Sequence, residues 1–174
     1  PGGLQVGDPV TSYFYLTDGE DKWTRLGHDP ISTANAGYIG RQIDGGYAEF
    51  IKLPVRNFIK LPEALDWKGK PADVGVITDA IATPYKVLGR ARIAPTDTVA
   101  VFGAGGGLGV HQIMMAKWAH ARVIAVDVMA DKLEVCKELG ADMVVDASNE
   151  RVVEEILDLT DGAGVDVAID YVST

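Results

Sequence analysis

The sequence predicts an α/β fold in which a doubly wound parallel sheet follows a shorter β-rich segment. Apolar segments typical of buried strands alternate with helical segments from residue 98 to residue 171. A glycine-rich turn, from Gly103 to Gly109, joins the first of these strands to the helix that follows it. Residues 1–62, in contrast, contain turn signals and short alternating segments with little helical periodicity.

Residues 1–62 are predicted to form an all-β segment. A turn over residues 7–9 precedes a predicted strand over residues 10–15, and residues 17–42 form a long polar stretch with almost no periodicity. After a second glycine-rich turn, residues 47–53 alternate with period two and predict another strand. Residues 57–62 predict a short last strand, which ends at a proline.

From residue 71 the pattern changes to helices that alternate with strands, so we place a domain boundary between residues 70 and 71. Residues 72–92 predict two helices, or one helix with a break at Thr83-Pro84. The elements that follow are strands over residues 98–102, 122–126, 143–145 and 165–171, separated by helices over residues 106–118, 130–139 and 149–159. This alternation predicts parallel strands with right-handed crossovers.

The glycine-rich turn has the pattern of a dinucleotide-binding βαβ unit. Gly103, Gly106 and Gly109 have a GxxGxxG spacing, because Leu108 stands where the last glycine of a strict GxGxxG would fall. Asp127 ends the second predicted strand, where its carboxylate could accept hydrogen bonds from ribose hydroxyls. The glycines would let a pyrophosphate approach the backbone N–H groups of the helix N-terminus. An ordinary strand-to-helix turn is the alternative, and the context favours the dinucleotide.

Composition excludes several other classes of function. The net charge is −9 and no basic run stands out, which argues against binding to nucleic acid or an anionic membrane. No apolar run approaches the roughly 18 residues that a membrane span requires, and no secretory signal pattern opens the sequence. Cys136 is the only cysteine, so no intrachain disulfide is possible; we expect a buried structural residue in a cytoplasmic protein.

Several stretches together resemble the zinc-containing medium-chain alcohol dehydrogenases, over essentially the whole chain. They are residues 6–10 (VGDPV), 44–50 (DGGYAEF), 79–85 (DAIATPY), the glycine turn, 116–117 (AK), 123–127 (VIAVD), 132–134 (KLE) and 139–142 (LGAD). The resemblance implies part of a GroES-like β domain over residues 1–70 and part of a Rossmann-type NAD-binding domain over residues 71–174, with the active site between them. It also implies a fragment that lacks both ends, with the other zinc ligands outside it and no turnover of its own.

The resemblance also implies roles for particular residues. Asp79 corresponds to a ligand of the catalytic zinc, although an ordinary helix N-cap is the alternative. Thr83 is implied as a catalytic residue beside the nicotinamide, with a mid-helix threonine as the alternative. The implied cofactor-binding residues are Thr83, Gly103, Gly105, Gly106, Gly107, Leu108, Gly109, Asp127 and Lys132.

Family members often carry a structural zinc lobe with four cysteines, and this chain departs from that pattern. The corresponding positions hold Asp18, Asp21, Thr24 and Ser32, and none is a thiolate. We therefore expect no structural zinc and a solvated, mobile loop. His120 stands where relatives usually have a helix-ending glycine, so a positive φ is expected there.

The implied function is an NAD-dependent alcohol dehydrogenase that transfers a hydride between a small alcohol or carbonyl substrate and NAD, assisted by zinc. Asp127 is followed by Val128, and no arginine is placed to receive a 2′-phosphate, which favours NAD over NADP. The complete protein is expected to form a homodimer or homotetramer. A zinc-independent quinone or enoyl reductase and a non-catalytic nucleotide-binding relative remain the alternatives.

Overall fold

The computed structural model describes residues 3–172. The chain divides into two compact units, Pro1–Thr78 and Asp79–Thr174. The domain boundary predicted between residues 70 and 71 stays a prediction. Within residues 3–172, no helix has the length and apolar character that crossing a bilayer requires.

The first unit is built around a short antiparallel pair. Strand β1 (Val10–Ser12) pairs with strand β2 (Phe58–Lys60), with Val10 opposite Lys60. Buried Asn57 supports this pair, because its amide donates to the carbonyl oxygens of Tyr13 at 2.6 Å and Tyr15 at 2.8 Å. The unit also contains helix α1 (Lys22–Arg25), 3₁₀ turns over Asp29–Ile31 and Val55–Asn57, and helix α2 (Pro71–Gly75).

The prediction of a strand over residues 47–53 is wrong. Tyr47 is fully exposed and the Phe50 side chain is 89% exposed, so neither has a surface to pack against. No backbone hydrogen bond joins residues 47–53 to another segment of the described chain. A strand is stable only when it pairs with a neighbour, and alternating sequence alone does not supply that neighbour. The first predicted strand is also shorter than expected, since β1 ends at Ser12.

The helical segment before the sheet is interrupted earlier than the sequence predicts. A π-helical turn covers Ile77–Ile81, and helix α3 (Ala82–Ala91) follows it. Pro84 lies in the first turn of α3, where a missing N–H has no intrahelical partner to lose. The break predicted at Thr83-Pro84 is therefore displaced to the turn that precedes the proline.

The second unit contains a parallel four-stranded sheet with the strand order β5-β4-β3-β6, which confirms the predicted fold class. Its strands are β3 (Thr98–Phe102), β4 (Arg122–Asp127), β5 (Met143–Asp146) and β6 (Val167–Asp170). The connecting helices are α4 (Gly107–Trp118), α5 (Ala130–Glu138) and α6 (Val152–Leu159). All seven elements overlap their predicted ranges.

Alternate residues of β4 face two hydrophobic cores, one on each side of the sheet. Val123 and Ala125 lie in a core that contains Ile113 of α4 and Cys136 of α5. Ile124 and Val126 lie in a second core that contains Ile156 of α6. Helices therefore cover both faces of the sheet, as a doubly wound fold requires.

The connection from α4 to β4 contains the expected left-handed residue. His120 has a φ of 62°, and its N–H donates to the carbonyl oxygen of Lys117 at 2.9 Å. This confirms that histidine occupies a backbone conformation that glycine adopts more readily.

Candidate functional site

A cleft of about 300 Å³ lies in the second unit, at the edge of the sheet where the parallel strands end. It is lined by Phe102, Gly103, Gly106, Val126, Asp127, Val128, Lys132, Ala147, Tyr171 and Val172. The strands bring these residues together because the carboxyl ends of parallel strands share one edge, which is where ligands bind in open α/β sheets. Four of the residues predicted to bind a cofactor therefore lie in one cleft: Gly103, Gly106, Asp127 and Lys132.

A side chain would be strained at Gly103 and would meet backbone atoms at Gly109. Gly103 has a φ of +68°, and a Cβ there would lie 3.0 Å from Cγ2 of Val172. A Cβ at Gly109 would lie 2.6 Å from Cα of Ala104 and would also meet the carbonyl oxygen of Gly103. The glycine at 109 thus lets α4 pack closely against the turn, although Leu108 shifts the spacing away from the strict motif.

The N-terminus of α4 presents unpaired backbone donors. Gly106 is its N-cap residue, with extended backbone and no side-chain cap. The N–H groups of Gly107, Leu108 and Gly109 have no hydrogen-bond partner among the described residues, whereas Val110 N–H bonds to the Gly106 oxygen at 3.0 Å. Such donors, with the positive end of the helix dipole, suit an anion such as a pyrophosphate.

Asp127 is held in a fixed orientation at the end of β4. Its side chain is 7% exposed. Oδ2 accepts the Gly105 N–H at 2.9 Å, and Oδ1 accepts the Met129 N–H at 3.2 Å. Each carboxylate oxygen has a further lone pair that could accept a hydroxyl of a ligand.

Lys132 covers the glycine turn with its aliphatic stem. A Cβ built on Gly105 would lie 2.8 Å from Cδ of Lys132. The lysine is half-buried and lines the cleft, and its stem packs against the backbone of the turn.

Asp79 and Thr83 lie elsewhere, and neither lines this cleft. Asp79 is exposed in the π-helical turn, and the Thr83 hydroxyl donates to its Oδ1 at 3.1 Å. Since the N-cap residue of α3 is Ile81, the N-cap alternative for Asp79 is wrong. Residues 3–172 contain no group of three or more histidine, cysteine, aspartate or glutamate side chains that could together hold a metal ion.

Two residues of this region were not predicted from the sequence. The Tyr171 hydroxyl donates to Oε1 of Gln112 at 2.7 Å, and Gln112 is fully buried. Tyr171 directly follows β6, so its place at the carboxyl end of a strand was the signal that could have identified it.

The polar loop that follows β1 is organised around one carboxylate. Oδ1 of Asp21 accepts the N–H of Thr24 at 2.8 Å, and Oδ2 accepts the hydroxyl of Ser32 at 2.8 Å and the N–H of Thr33 at 2.9 Å. These hydrogen bonds, with that of Thr24 first, hold the pKa of Asp21 well below its usual range. Three of the four positions that correspond to the structural zinc lobe, Asp21, Thr24 and Ser32, are thus joined by hydrogen bonds. The loop therefore has internal order, and its solvation and mobility stay predictions.

The known proteins that this chain resembles are dehydrogenases. Residues 107–174 match the family described as zinc-binding dehydrogenase. The chain is 32% identical over 169 residues to an NAD-dependent alcohol dehydrogenase of Sulfurisphaera tokodaii, covering 97% of this chain and 47% of that protein. It is 31% identical to an NAD-dependent alcohol dehydrogenase of Saccharolobus solfataricus, with the same coverage of both proteins.

A solved structure has the same fold. The crystal structure of the alcohol dehydrogenase from Aeropyrum pernix superposes with a TM-score of 0.89 at 38% identity, covering 99% of this chain and 50% of that one. The chain therefore spans about half the length of the relatives that it matches. The parallel sheet and its crossover helices correspond to the Rossmann-type fold of these relatives.

Proposed function

We propose that this chain, which belongs to the zinc-containing medium-chain dehydrogenase family, binds NAD at the glycine turn and serves hydride transfer between an alcohol and that cofactor. The observation that supports it best is one cleft in which the glycine turn and the fixed carboxylate of Asp127 come together. The alcohol dehydrogenases that match nearly the whole chain support the same activity.

The residues of the cleft, with the start of helix α4 beside it, suit the parts of a dinucleotide. The unpaired N–H groups of Gly107, Leu108 and Gly109 would receive the pyrophosphate. Asp127 would accept the adenosine ribose hydroxyls through the lone pairs that its two backbone hydrogen bonds leave free. Lys132 would add a positive charge beside the same ribose.

The charges in the cleft favour NAD over NADP. A 2′-phosphate would stand beside the Asp127 carboxylate, and the next residue, exposed Val128, offers no charge to compensate. Placing like charges together costs several kcal/mol. Lys132 would not reverse this preference for NAD. Its single positive charge would have to offset both the repulsion between the 2′-phosphate and the Asp127 carboxylate and the loss of the hydrogen bonds from ribose to Asp127.

The reacting end of the cofactor is assigned from the family resemblance. Bound NAD supplies the acceptor for a hydride. Thr83 and Leu108 are proposed to lie beside the nicotinamide, and Asp79 is proposed as one zinc ligand. A single carboxylate does not form a zinc site, and the described residues gather no complete set of ligands.

The binding half of the proposal is tested with the purified chain. Titration of NADH and NADPH, followed by cofactor fluorescence, should show NADH binding tighter by about tenfold or more. Asp158→Asn removes one exposed carboxylate on α6, outside the cleft. It is the control for a change of net charge alone, and its affinity for both cofactors should be unchanged. No binding of either cofactor would contradict the proposal.

The catalytic half is tested by adding substrates. NADH formation that needs both an alcohol and zinc, and that falls in Asp79→Ala, would support the zinc-type alcohol dehydrogenase. Consumption of NADH or NADPH with a quinone or an enoyl compound, unaffected by chelators, would instead indicate the zinc-independent reductase. Binding of NADH by a protein that never turns over, with all these substrates and zinc supplied, would favour the non-catalytic relative.

A further inference from the structure

We propose that Gln112 and Tyr171 form a buried polar tie that sets the position of the cleft wall relative to the glycine turn, and so controls cofactor affinity. The inference rests on the proposed NAD site. Gln112 would act as a positioning residue through Tyr171, which itself lines the cleft.

The first observation is a polar pair in an apolar core. Gln112 is 0% exposed, and its partner Tyr171 packs against the hydrophobic core that contains Ile113 and Val101. The hydroxyl of Tyr171 donates to Oε1 of Gln112 at 2.7 Å. The second polar atom of the amide, Nε2, has no partner among the described residues. Because a buried unsatisfied donor is destabilising, packing alone would favour an apolar side chain at this position.

The second observation is where Tyr171 lies. Its N–H donates to the carbonyl oxygen of Phe102 at 3.1 Å, and Phe102 directly precedes Gly103. A Cβ on Gly103 would stand 3.6 Å from the carbonyl carbon of Tyr171 and 3.0 Å from Cγ2 of Val172. The backbone at residues 171–172 therefore abuts the glycine turn, and both of these residues line the cleft.

The third observation is where Gln112 lies. It belongs to α4, the helix that begins directly after Gly106 of the cleft and whose first N–H groups are unpaired. The hydrogen bond thus links the helix that would receive the pyrophosphate to the wall formed after β6. Burial raises the pKa of Tyr171 to about 12, so its hydroxyl remains a donor at every pH at which the protein is handled.

A merely structural pair and a positioning pair predict different results for the double variant Gln112→Leu/Tyr171→Phe. In Tyr171→Phe alone, a buried oxygen of Gln112 loses its donor, so the melting temperature should fall. In the double variant both polar partners become apolar, so the melting temperature should return to the wild-type value or above it. If the tie positions the wall, the double variant should still bind NADH about tenfold more weakly than wild type.

The matched control is Thr160→Val. This change removes another buried hydroxyl at the end of α6, which donates to the Ile156 oxygen at 2.7 Å and accepts the Gly164 N–H at 3.0 Å. It should lower the melting temperature without changing NADH affinity. A second readout needs no cofactor: amide hydrogen exchange at residues 102–106 and 171–172 should be faster in the double variant than in wild type.

The outcomes separate the two proposals. A wild-type chain that binds no NADH overturns the proposed function and, with it, the control of affinity. A wild-type chain that binds NADH, with a stable double variant that binds it equally well, overturns the positioning tie and leaves the function standing. Unchanged hydrogen exchange in the double variant also overturns the tie, whereas weaker binding together with faster exchange supports it.

Discussion

Oδ2 of Asp127 accepts the backbone N–H of Gly105 at 2.9 Å, so the residue proposed to bind ribose also holds the glycine turn. A charge-assisted hydrogen bond of this kind is worth roughly 1.5–3 kcal/mol. The carboxylate is preorganised by the same contact, because the N–H group fixes its rotamer before any ligand arrives. Changes at position 127 should therefore alter both the choice of cofactor and the order of the turn.

The first prediction concerns cofactor choice. Asp127→Gly combined with Val128→Arg removes the negative charge and adds a positive one, so the ratio of NADPH to NADH affinity should rise. Affinity for NADH should fall by about tenfold or more, because the ribose acceptor and the Gly105 contact are lost together. Fluorescence titration with both cofactors measures the change. An unchanged preference would refute the role proposed for Asp127.

Replacement by alanine should have opposite effects on stability at two glycines of the first turn of α4. A Cβ at Gly109 would meet the backbone of Gly103 and Ala104, so Gly109→Ala should cost about 1–3 kcal/mol of unfolding free energy and weaken NADH binding. A Cβ at Gly107 meets nothing within 4 Å. Because Gly107 lies in helix α4, Gly107→Ala should be neutral or stabilising by up to about 1 kcal/mol. Urea unfolding and NADH titration of both variants compare the two positions directly.

The sheet and its helices could be predicted because their pattern is long and local. β3 begins and ends at the predicted residues, and Asp127 ends β4 as expected. Residues 47–53 show the opposite case, because a strand depends on a partner whose distance along the sequence is not fixed. The Gln112–Tyr171 and Asp21–Ser32 hydrogen bonds join residues 59 and 11 positions apart, and no periodicity encodes such pairs.

The loop after β1 should depend on the ionised form of Asp21. Because the pKa of Asp21 is lower in the folded protein than in the unfolded chain, its contribution to stability is present above the unfolded pKa of about 4. It should be lost as the pH falls through the lower folded pKa. Protection of the Thr24 and Thr33 amides from hydrogen exchange, measured against pH, reports this loss.

Two controls define the role of that carboxylate. Asp21→Asn should lower the protection of both amides at neutral pH. Asp18→Asn should not, because among residues 3–172 the Asp18 carboxylate accepts only the Glu20 N–H. A chelator should leave the protection unchanged, since hydrogen bonds from Thr24, Ser32 and Thr33 close the loop. Loss of protection on chelation would instead indicate a structural metal.

Cys136 should be chemically inert in the folded protein. It is fully buried between the sheet and α5, and burial, with a smaller effect of the Asp127 charge, raises the pKa of its thiol. Thiolate is the reactive form, so a thiol reagent should label Cys136 only after unfolding. Cys136→Ala should cost about 0.5–1.5 kcal/mol through the lost packing of one heavy atom. Rapid labelling of the native protein would contradict the buried position.

The turn between α4 and β4 should gain stability from glycine. His120 has a φ of 62°, a conformation that costs an L-residue roughly 1–2 kcal/mol and costs glycine almost nothing. Glycine also loses more backbone entropy on folding, so the expected net gain for His120→Gly is about 0.5–1 kcal/mol of unfolding free energy. His120→Ala keeps the Cβ and should show no such gain, which separates the backbone effect from loss of the imidazole. Urea unfolding measures all three proteins, and equal stability of the glycine and alanine variants would mean that the backbone at residue 120 is not strained.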